Sequence, residues 1–363
     1  MGNSQENQKI RPIPSGLCKT DFIFHQIIGQ GGFGRVWEVT HKKSKKYFAI
    51  KEMNKVRIVN KKSVSSVLNE RKLLSILKHP FIVNMQYAFQ DRENLYLVMD
   101  LMTGGDLRFH LCRNRRFTEE QTRFFIACIL TGLEYLHVNG ILHRDIKPEN
   151  LVFDNKGYLR ITDFGIAKIL EPQNSKDTSG TPGYMAPEVM NRQNHGIGVD
   201  YYALGVIAYE FMTGTRPYVG RNRNEIKERI IASQVQLKKT DVPKGWSIEA
   251  ADFINKLIQR KPEQRLGANG PQELKNHAWL RDFPWKKLLE KKLESPFIPS
   301  LMHNFHPIQA KDWGKDVDPA IRDDSIQPLF VGYIFDPQIA NFKKDETTQR
   351  ADLNSTARVK ESV

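Results

Sequence analysis

Between His143 and Glu188 the chain carries three polar motifs in a fixed order, and few folds accommodate all three. They are His143-Arg144-Asp145-Ile146-Lys147-Pro148-Glu149-Asn150, then Asp163-Phe164-Gly165, then Ala186-Pro187-Glu188. Pro148 disfavours helical geometry at Lys147, so the first motif is a loop between strands. Its residue types suit phosphoryl transfer. Asp145 can orient a hydroxyl and accept its proton, and Lys147, two residues on, can neutralise the moving charge. Asn150 and Asp163 offer hard oxygen donors for Mg²⁺, which takes only one or two such ligands from protein and the rest from phosphates and water.

The order H-R-D-x-x-x-x-N, D-F-G, A-P-E resembles the catalytic core of eukaryotic protein kinases. The resemblance implies a bilobal α+β fold. A small β-rich N-lobe would hold one key helix, the C-lobe would be larger and mainly helical, and a C-terminal tail would wrap the N-lobe. The expected division is a flexible arm over 1–21, N-lobe over 22–101, C-lobe over 102–283, tail over 284–336 and a disordered polar end over 337–363.

The N-terminal third bears this out in its own pattern. Ile28-Gly29-Gln30-Gly31-Gly32-Phe33-Gly34-Arg35-Val36 contains G-x-G-x-x-G, which also occurs in dinucleotide folds. There it opens a helix. Here it runs into Val36-Trp37-Glu38-Val39 and Tyr47-Phe48-Ala49-Ile50-Lys51, a strand, turn and strand, so the glycines cap a hairpin over phosphates. Gly32 replaces the usual Ser or Ala and predicts a looser tip. By resemblance, Lys51 holds the α- and β-phosphates of ATP and pairs with Glu70, on a helix read from the apolar period of Val64, Val67, Leu68, Leu74 and Leu77. Met99 is then the gatekeeper behind adenine, and the backbone of Asp100 and Met102 bonds the base edge. Asp106 serves the ribose. Val152 floors the pocket, with Val36 and Ala49 as its roof. Thr118 and Gln121 form a capping box for a long helix. Val199 to Met212 reads as a buried core helix, in which Asp200 accepts N–H bonds from the His-Arg-Asp loop. Arg265 is expected to pair with Glu188.

Of the 363 residues 40% are hydrophobic and 26% charged, an ordinary globular balance. Cys18, Cys112 and Cys128 lack metal-ligand spacing and fit a reducing compartment. The net charge of +14 is spread over scattered clusters. A nucleic-acid binder concentrates such charge on one element with aromatics between, so solvated faces and an anionic partner such as a membrane are expected instead of specific nucleic-acid binding. The Met1-Gly2-Asn3-Ser4 start offers Gly2 for myristoylation, with Glu6 where Ser or Thr is preferred. The expected partners are protein substrates, the expected state a monomer, and the expected location cytoplasmic with peripheral membrane contact if Gly2 is modified.

Lys147 and Thr181, in Gly180-Thr181-Pro182-Gly183-Tyr184, point to serine/threonine substrates. Asn69-Glu70-Arg71, His79-Pro80-Phe81 and a tail starting Ser295-Pro296-Phe297-Ile298-Pro299 resemble the AGC class. The run from Ala88-Phe89-Gln90-Asp91 through Gly104-Gly105-Asp106-Leu107-Arg108-Phe109-His110-Leu111 is similar to its YANK subfamily, whereas Gly-Thr-Pro-Gly-Tyr is more like the calmodulin-dependent class. Glu149, Glu210 and Asp106 match acids that meet substrate arginines in basophilic members, which implies a preference for Arg or Lys two or three residues before the target. Asp177 stands at the AGC phosphothreonine position. It either supplies a fixed charge to Arg144 or is a solvated acid beside the real phosphosite, Thr178. Phe330-Val331-Gly332-Tyr333-Ile334-Phe335 resembles the AGC hydrophobic motif with Ile334 at the phosphoacceptor, which implies docking by Phe330 and Tyr333 without phosphate. All of Lys51, Asp145, Asn150 and Asp163 are present, so a pseudokinase scaffold is the weaker alternative.

Overall fold

The computed structural model describes residues 16–300, 304 and 324–337. Gly2 and most of the two polar ends therefore lie outside the described residues. The chain forms two compact units. One holds the described residues within Met1–Lys62, Met85–Met99 and Trp313–Val363, and the other those within Ser63–Asn84 and Asp100–Asp312.

The first unit is built on a five-stranded sheet of β1 (Phe22–Gln30), β2 (Gly34–His41), β3 (Tyr47–Asn54), β4 (Met85–Gln90) and β5 (Asn94–Asp100), in the order β1-β2-β3-β5-β4. Alternation along these strands sends Phe22, Val39, Ile50, Phe89, Tyr96 and Val98 to one core. Within it Phe89 stacks on Tyr96 at 4.8 Å and on Phe22 at 5.8 Å. Helix α1 (Lys55–Asn60) follows β3 directly, capped by the Asn54 side chain, which accepts from Arg57 N.

The C-terminal segment docks on this unit. Asp324–Phe330 forms a 3-10 turn, and Phe335 adds a bridge to the edge of β4, exchanging both backbone hydrogen bonds with Ala88 at 2.9 and 2.8 Å. Gly332 takes φ +81°, a turn that a side chain resists. Phe330 and Tyr333, on either side of it, are both fully buried. Lys55 is buried too, and its Nζ donates to Asp91 O at 2.6 Å and to Gln327 Oε1 at 2.8 Å. Ile326 packs on Val56 and Val59.

The second unit is mainly helical. It contains α2 (Val64–Ile76), α3 (Leu107–Asn114), α4 (Glu119–Val138), α5 (Pro187–Met190), α6 (Gly198–Thr213), α7 (Arg223–Ala232), α8 (Ile248–Leu257), α9 (Pro271–Asn276) and α10 (Trp285–Leu289). Two small antiparallel pairs complete it: β6 (Ile141–Leu142) with β9 (Lys168–Ile169), and β7 (Leu151–Phe153) with β8 (Leu159–Ile161). The capping box at Thr118 and Gln121 is formed at the start of α4. Helix α6 is buried on nearly every side, which explains its apolar run and places Asp200 in the interior. Phe297 seats the start of the tail among His110, Phe125 and Phe153, at 5.1–5.8 Å. Among the described residues, no helix is long and apolar enough to cross a membrane.

Candidate active site

The His-Arg-Asp loop owes its shape to a buried acid beneath it. Asp200 accepts the backbone N–H of His143 at 3.0 Å and of Arg144 at 2.8 Å, and a further hydrogen bond from His137 at 2.9 Å. Burial works against its charge, but these bonds hold the Asp200 carboxyl below its ordinary value. The anchorage supports Arg144 at φ +66°, a conformation costly for a residue with a side chain.

Asp145, next in the chain, has both carboxylate oxygens occupied. Oδ1 accepts from Thr181 Oγ1 at 2.7 Å and Thr181 N at 3.1 Å. Oδ2 accepts from Lys147 Nζ at 2.6 Å and Asn150 Nδ2 at 3.0 Å. Lys147 Nζ also donates to Thr181 Oγ1 at 2.9 Å. The carboxylate thus lies where a hydroxyl and an ammonium already meet it, the arrangement a general base needs.

Asn150 and Asp163 are brought together through the backbone, since Thr162 N donates to Asn150 O at 3.0 Å. Asp163 itself sits at φ +64°, with Gly165 N donating to its Oδ1 at 3.2 Å. Asn150 spends its side-chain NH₂ on Asp145, which turns its oxygen into the remaining ligand atom. Among the described residues no group of three or more His, Cys, Asp or Glu could hold a metal alone. One amide oxygen and one carboxylate, both hard, fit a Mg²⁺ that draws its other ligands from phosphate and water.

The Protein kinase domain family matches residues 22–280. The chain belongs to the protein kinase family. Members in general use ATP and a divalent cation. The chain is 40% identical over 300 residues to a probable serine/threonine-protein kinase of Dictyostelium discoideum, covering 82% of this chain and 65% of that protein. It is 40% identical over 286 residues to the serine/threonine-protein kinase sgk-1 of Caenorhabditis elegans, covering 77% and 60%. It is 38% identical over 294 residues to the cAMP-dependent protein kinase catalytic subunit of D. discoideum, covering 80% and 44%. This kinase therefore spans at most about two thirds of the length of these relatives.

The β-sheet unit of the kinase carries the glycine loop. Gly31 N bonds Gly34 O at 2.9 Å, closing the turn between β1 and β2. A Cβ on Gly34 would lie 1.8 Å from Glu52 O, so only glycine fits there. At the tip, the Gly32 carbonyl accepts from Lys61 Nζ at 2.8 Å, with the same ammonium over the Phe33 ring. Arg35 and Val36 pair with Glu52 and Lys51 across β2 and β3. Ile28, Gly29 and Gln30 end β1, and Ala49 and Met99 are buried.

The helical unit holds the rest. Glu70 is buried in α2, a helix tied to the Asp-Phe-Gly segment by Ser66, which donates to Gly165 O, and by Asn69 Nδ2 to Ala167 O at 2.8 Å. The amide of Asp100 donates to Asn84 O, so a bond from Asp100 to a base edge has to come from its carbonyl. Met102 is buried. Asp106 caps α3 by accepting Phe109 N at 2.8 Å, and it bridges Val152. Glu188 and Arg265 form the expected buried pair, bidentate at 2.7 and 2.9 Å.

Asp177 faces two cations, Lys168 Nζ at 2.9 Å and Arg144 Nη1 at 3.4 Å. Burial opposes its charge, but the Lys168 hydrogen bond and the two cations hold its carboxyl below the ordinary value. Two residues here escaped the reading of the sequence. Lys168 gave no signal beyond its place on a short strand after Asp-Phe-Gly. Arg108 gave none beyond its place in the run after Gly104-Gly105-Asp106, yet it binds two of the three acids expected to meet substrate arginines. Its Nε donates to Glu149 at 2.9 Å and its Nη1 to Glu210 at 2.9 Å.

Proposed function

We propose that the protein is an ATP- and magnesium-dependent protein serine/threonine kinase of AGC type, with the lobes and tail read from the sequence. The observation that carries this is the carboxylate of Asp145, gripped by Thr181, Lys147 and Asn150 in a loop anchored on Asp200. A scaffold without activity has no use for such an arrangement, so the pseudokinase alternative is set aside. The name YANK rests on the run from Ala88-Phe89-Gln90-Asp91 to Leu111 alone.

The proposed roles divide by unit. Ile28, Gly29, Gln30, Gly31, Gly32, Phe33, Gly34, Arg35, Val36, Ala49, Lys51 and Met99 bind nucleotide from the sheet. Glu70, Asp100, Met102, Asp106 and Val152 do so from the helical unit. Asn150 and Asp163 ligate magnesium, which when bound offsets charge on the transferring phosphoryl group. Asp145 aligns the substrate hydroxyl and takes its proton. Thr181 offers its own hydroxyl to the same oxygen, so it keeps the carboxylate oriented and is displaced or shared when a substrate arrives. Lys147 then stabilises the charge that develops beside it. Most of the acceleration comes from positioning and electrostatics, because the transition state is loose.

Asp145→Asn tests the mechanism. It keeps the shape of the loop and removes the base, so transfer of labelled phosphate to a serine peptide should fall by about 10²–10⁴-fold with an unchanged melting temperature. Equal rates in the two proteins would refute the assignment.

A further inference from the structure

The acids Glu149 and Glu210 are linked to the proposed base, Glu149 through its chain neighbour Asn150 and Glu210 through Tyr184 and Thr181. Glu149 precedes Asn150, which donates to Asp145. Glu210 accepts the hydroxyl of Tyr184 at 2.6 Å, and the amide of Tyr184 donates to Thr181 O at 2.9 Å. Thr181 in turn binds Asp145. A peptide that presents a hydroxyl to Asp145 must pass near these acids. Two carboxylates so placed would capture a guanidinium on the peptide.

That place is taken. Arg108, on α3, spreads its guanidinium across the cluster, with Nε on Glu149, Nη1 and Nη2 on the two oxygens of Glu210, and Nη2 on the Tyr184 oxygen. The Arg108 side chain is 23% exposed and that of Glu210 only 8%, so this arm of the fork is sheltered from water, whereas Glu149, 45% exposed, meets Arg108 at the surface. Burial works against the charge of Arg108, but the bonds and charges of Glu210, Tyr184 and Glu149 raise its pKa above the ordinary arginine value, and it stays a cation.

We infer that Arg108 is a specificity-determining residue: it occupies from within the chain the acidic subsite beside Asp145 and makes the kinase indifferent to basic residues around the target. The inference rests on the kinase reading above. An intramolecular partner acts at an effective concentration on the order of millimolar or more, so a peptide arginine at micromolar concentration does not displace it. The part of the expected Arg or Lys preference that Glu149 and Glu210 would supply is thereby cancelled.

Serine peptides that differ only by Arg or Ala, at each position flanking the target, separate the two questions. Dissociation constants from fluorescence anisotropy are measured on the full chain beside phosphate transfer. The native chain should bind each Arg and Ala pair within about twofold, and Arg108→Met should favour Arg by about tenfold or more at one position, the strength of one charge-assisted hydrogen bond. Adding Glu149→Gln to Arg108→Met should remove much of that gain. The milder Arg108→Lys, which keeps the charge but gives up the fork, should gain about threefold and serves if Arg108→Met does not fold. A native chain that already favours Arg tenfold, or a folded variant whose ratio stays flat, would overturn the inference. Absence of phosphate transfer by the native chain counts against the kinase reading alone, because the binding ratios still decide the role of Arg108.

Discussion

Asp177→Asn is the substitution whose consequence is set most directly by geometry. It removes a charge from the meeting point of Lys168 and Arg144 and leaves the side chain's size unchanged. The Lys168 side chain is 39% exposed, so its pairing contributes at most about 1 kcal/mol. The Arg144 side chain is 9% exposed and also donates to Ile166 O. Without Asp177 this guanidinium keeps its burial and loses a counter-charge. A fully buried pair would cost about 3–5 kcal/mol to break in this way. Asp177 is partly exposed and Arg144 keeps its carbonyl, so about 1–3 kcal/mol is expected. At about 1.4 kcal/mol for each factor of ten, the ratio of ordered to open loop falls by roughly 5–150-fold. The assay is kcat/KM toward a serine peptide, using protein made in bacteria and shown by mass spectrometry to carry no phosphate. The native chain should be active in that state, and Asp177→Asn slower by about fivefold or more. A phosphate-free native chain that is inert until Thr178 is phosphorylated would refute the reasoning, as would a variant within twofold of the native rate.

Two further outcomes concern the docked tail. Truncation before Phe330 removes two fully buried aromatics, at roughly 2 kcal/mol each, and frees the edge of β4. Amide exchange at Ala88 should then rise sharply while that at His143, held by Asp200, does not; equal protection at Ala88 would mean that the tail does not dock. Burial pushes the Lys55 ammonium down to about 8, against the opposing charge of Asp91. Folded chains therefore release this proton before unfolded ones, and stability should rise with pH from about 8 toward 10.5, by on the order of 2 kcal/mol. A melting-temperature profile that Lys55→Met leaves unchanged over this range would rule that out.

Local chemistry was legible in the residues themselves. Pro148, the glycine hairpin, the Thr118 capping box and the buried run from Val199 to Met212 each depend on neighbours a few positions away, and each forms as its own segment dictates. The pairs of Asp200 with the His-Arg-Asp backbone and of Glu188 with Arg265 span long separations, and were read only because a family pattern supplied the partner. Where no pattern named a partner, the sequence was silent. Charge and spacing show that Glu149 and Glu210 are acids; they do not show which cation meets them. Arg108 lies 41 residues from one and 102 from the other, and only the placement of α3 beside the catalytic loop, within reach of Glu210 on α6, makes it that cation. Lys168 reaches Asp177 for the same reason, through the pairing of β9 with β6 that fixes the strand on which it stands. An ion pair is a property of two positions in space, and the chain's order sets only one coordinate of each.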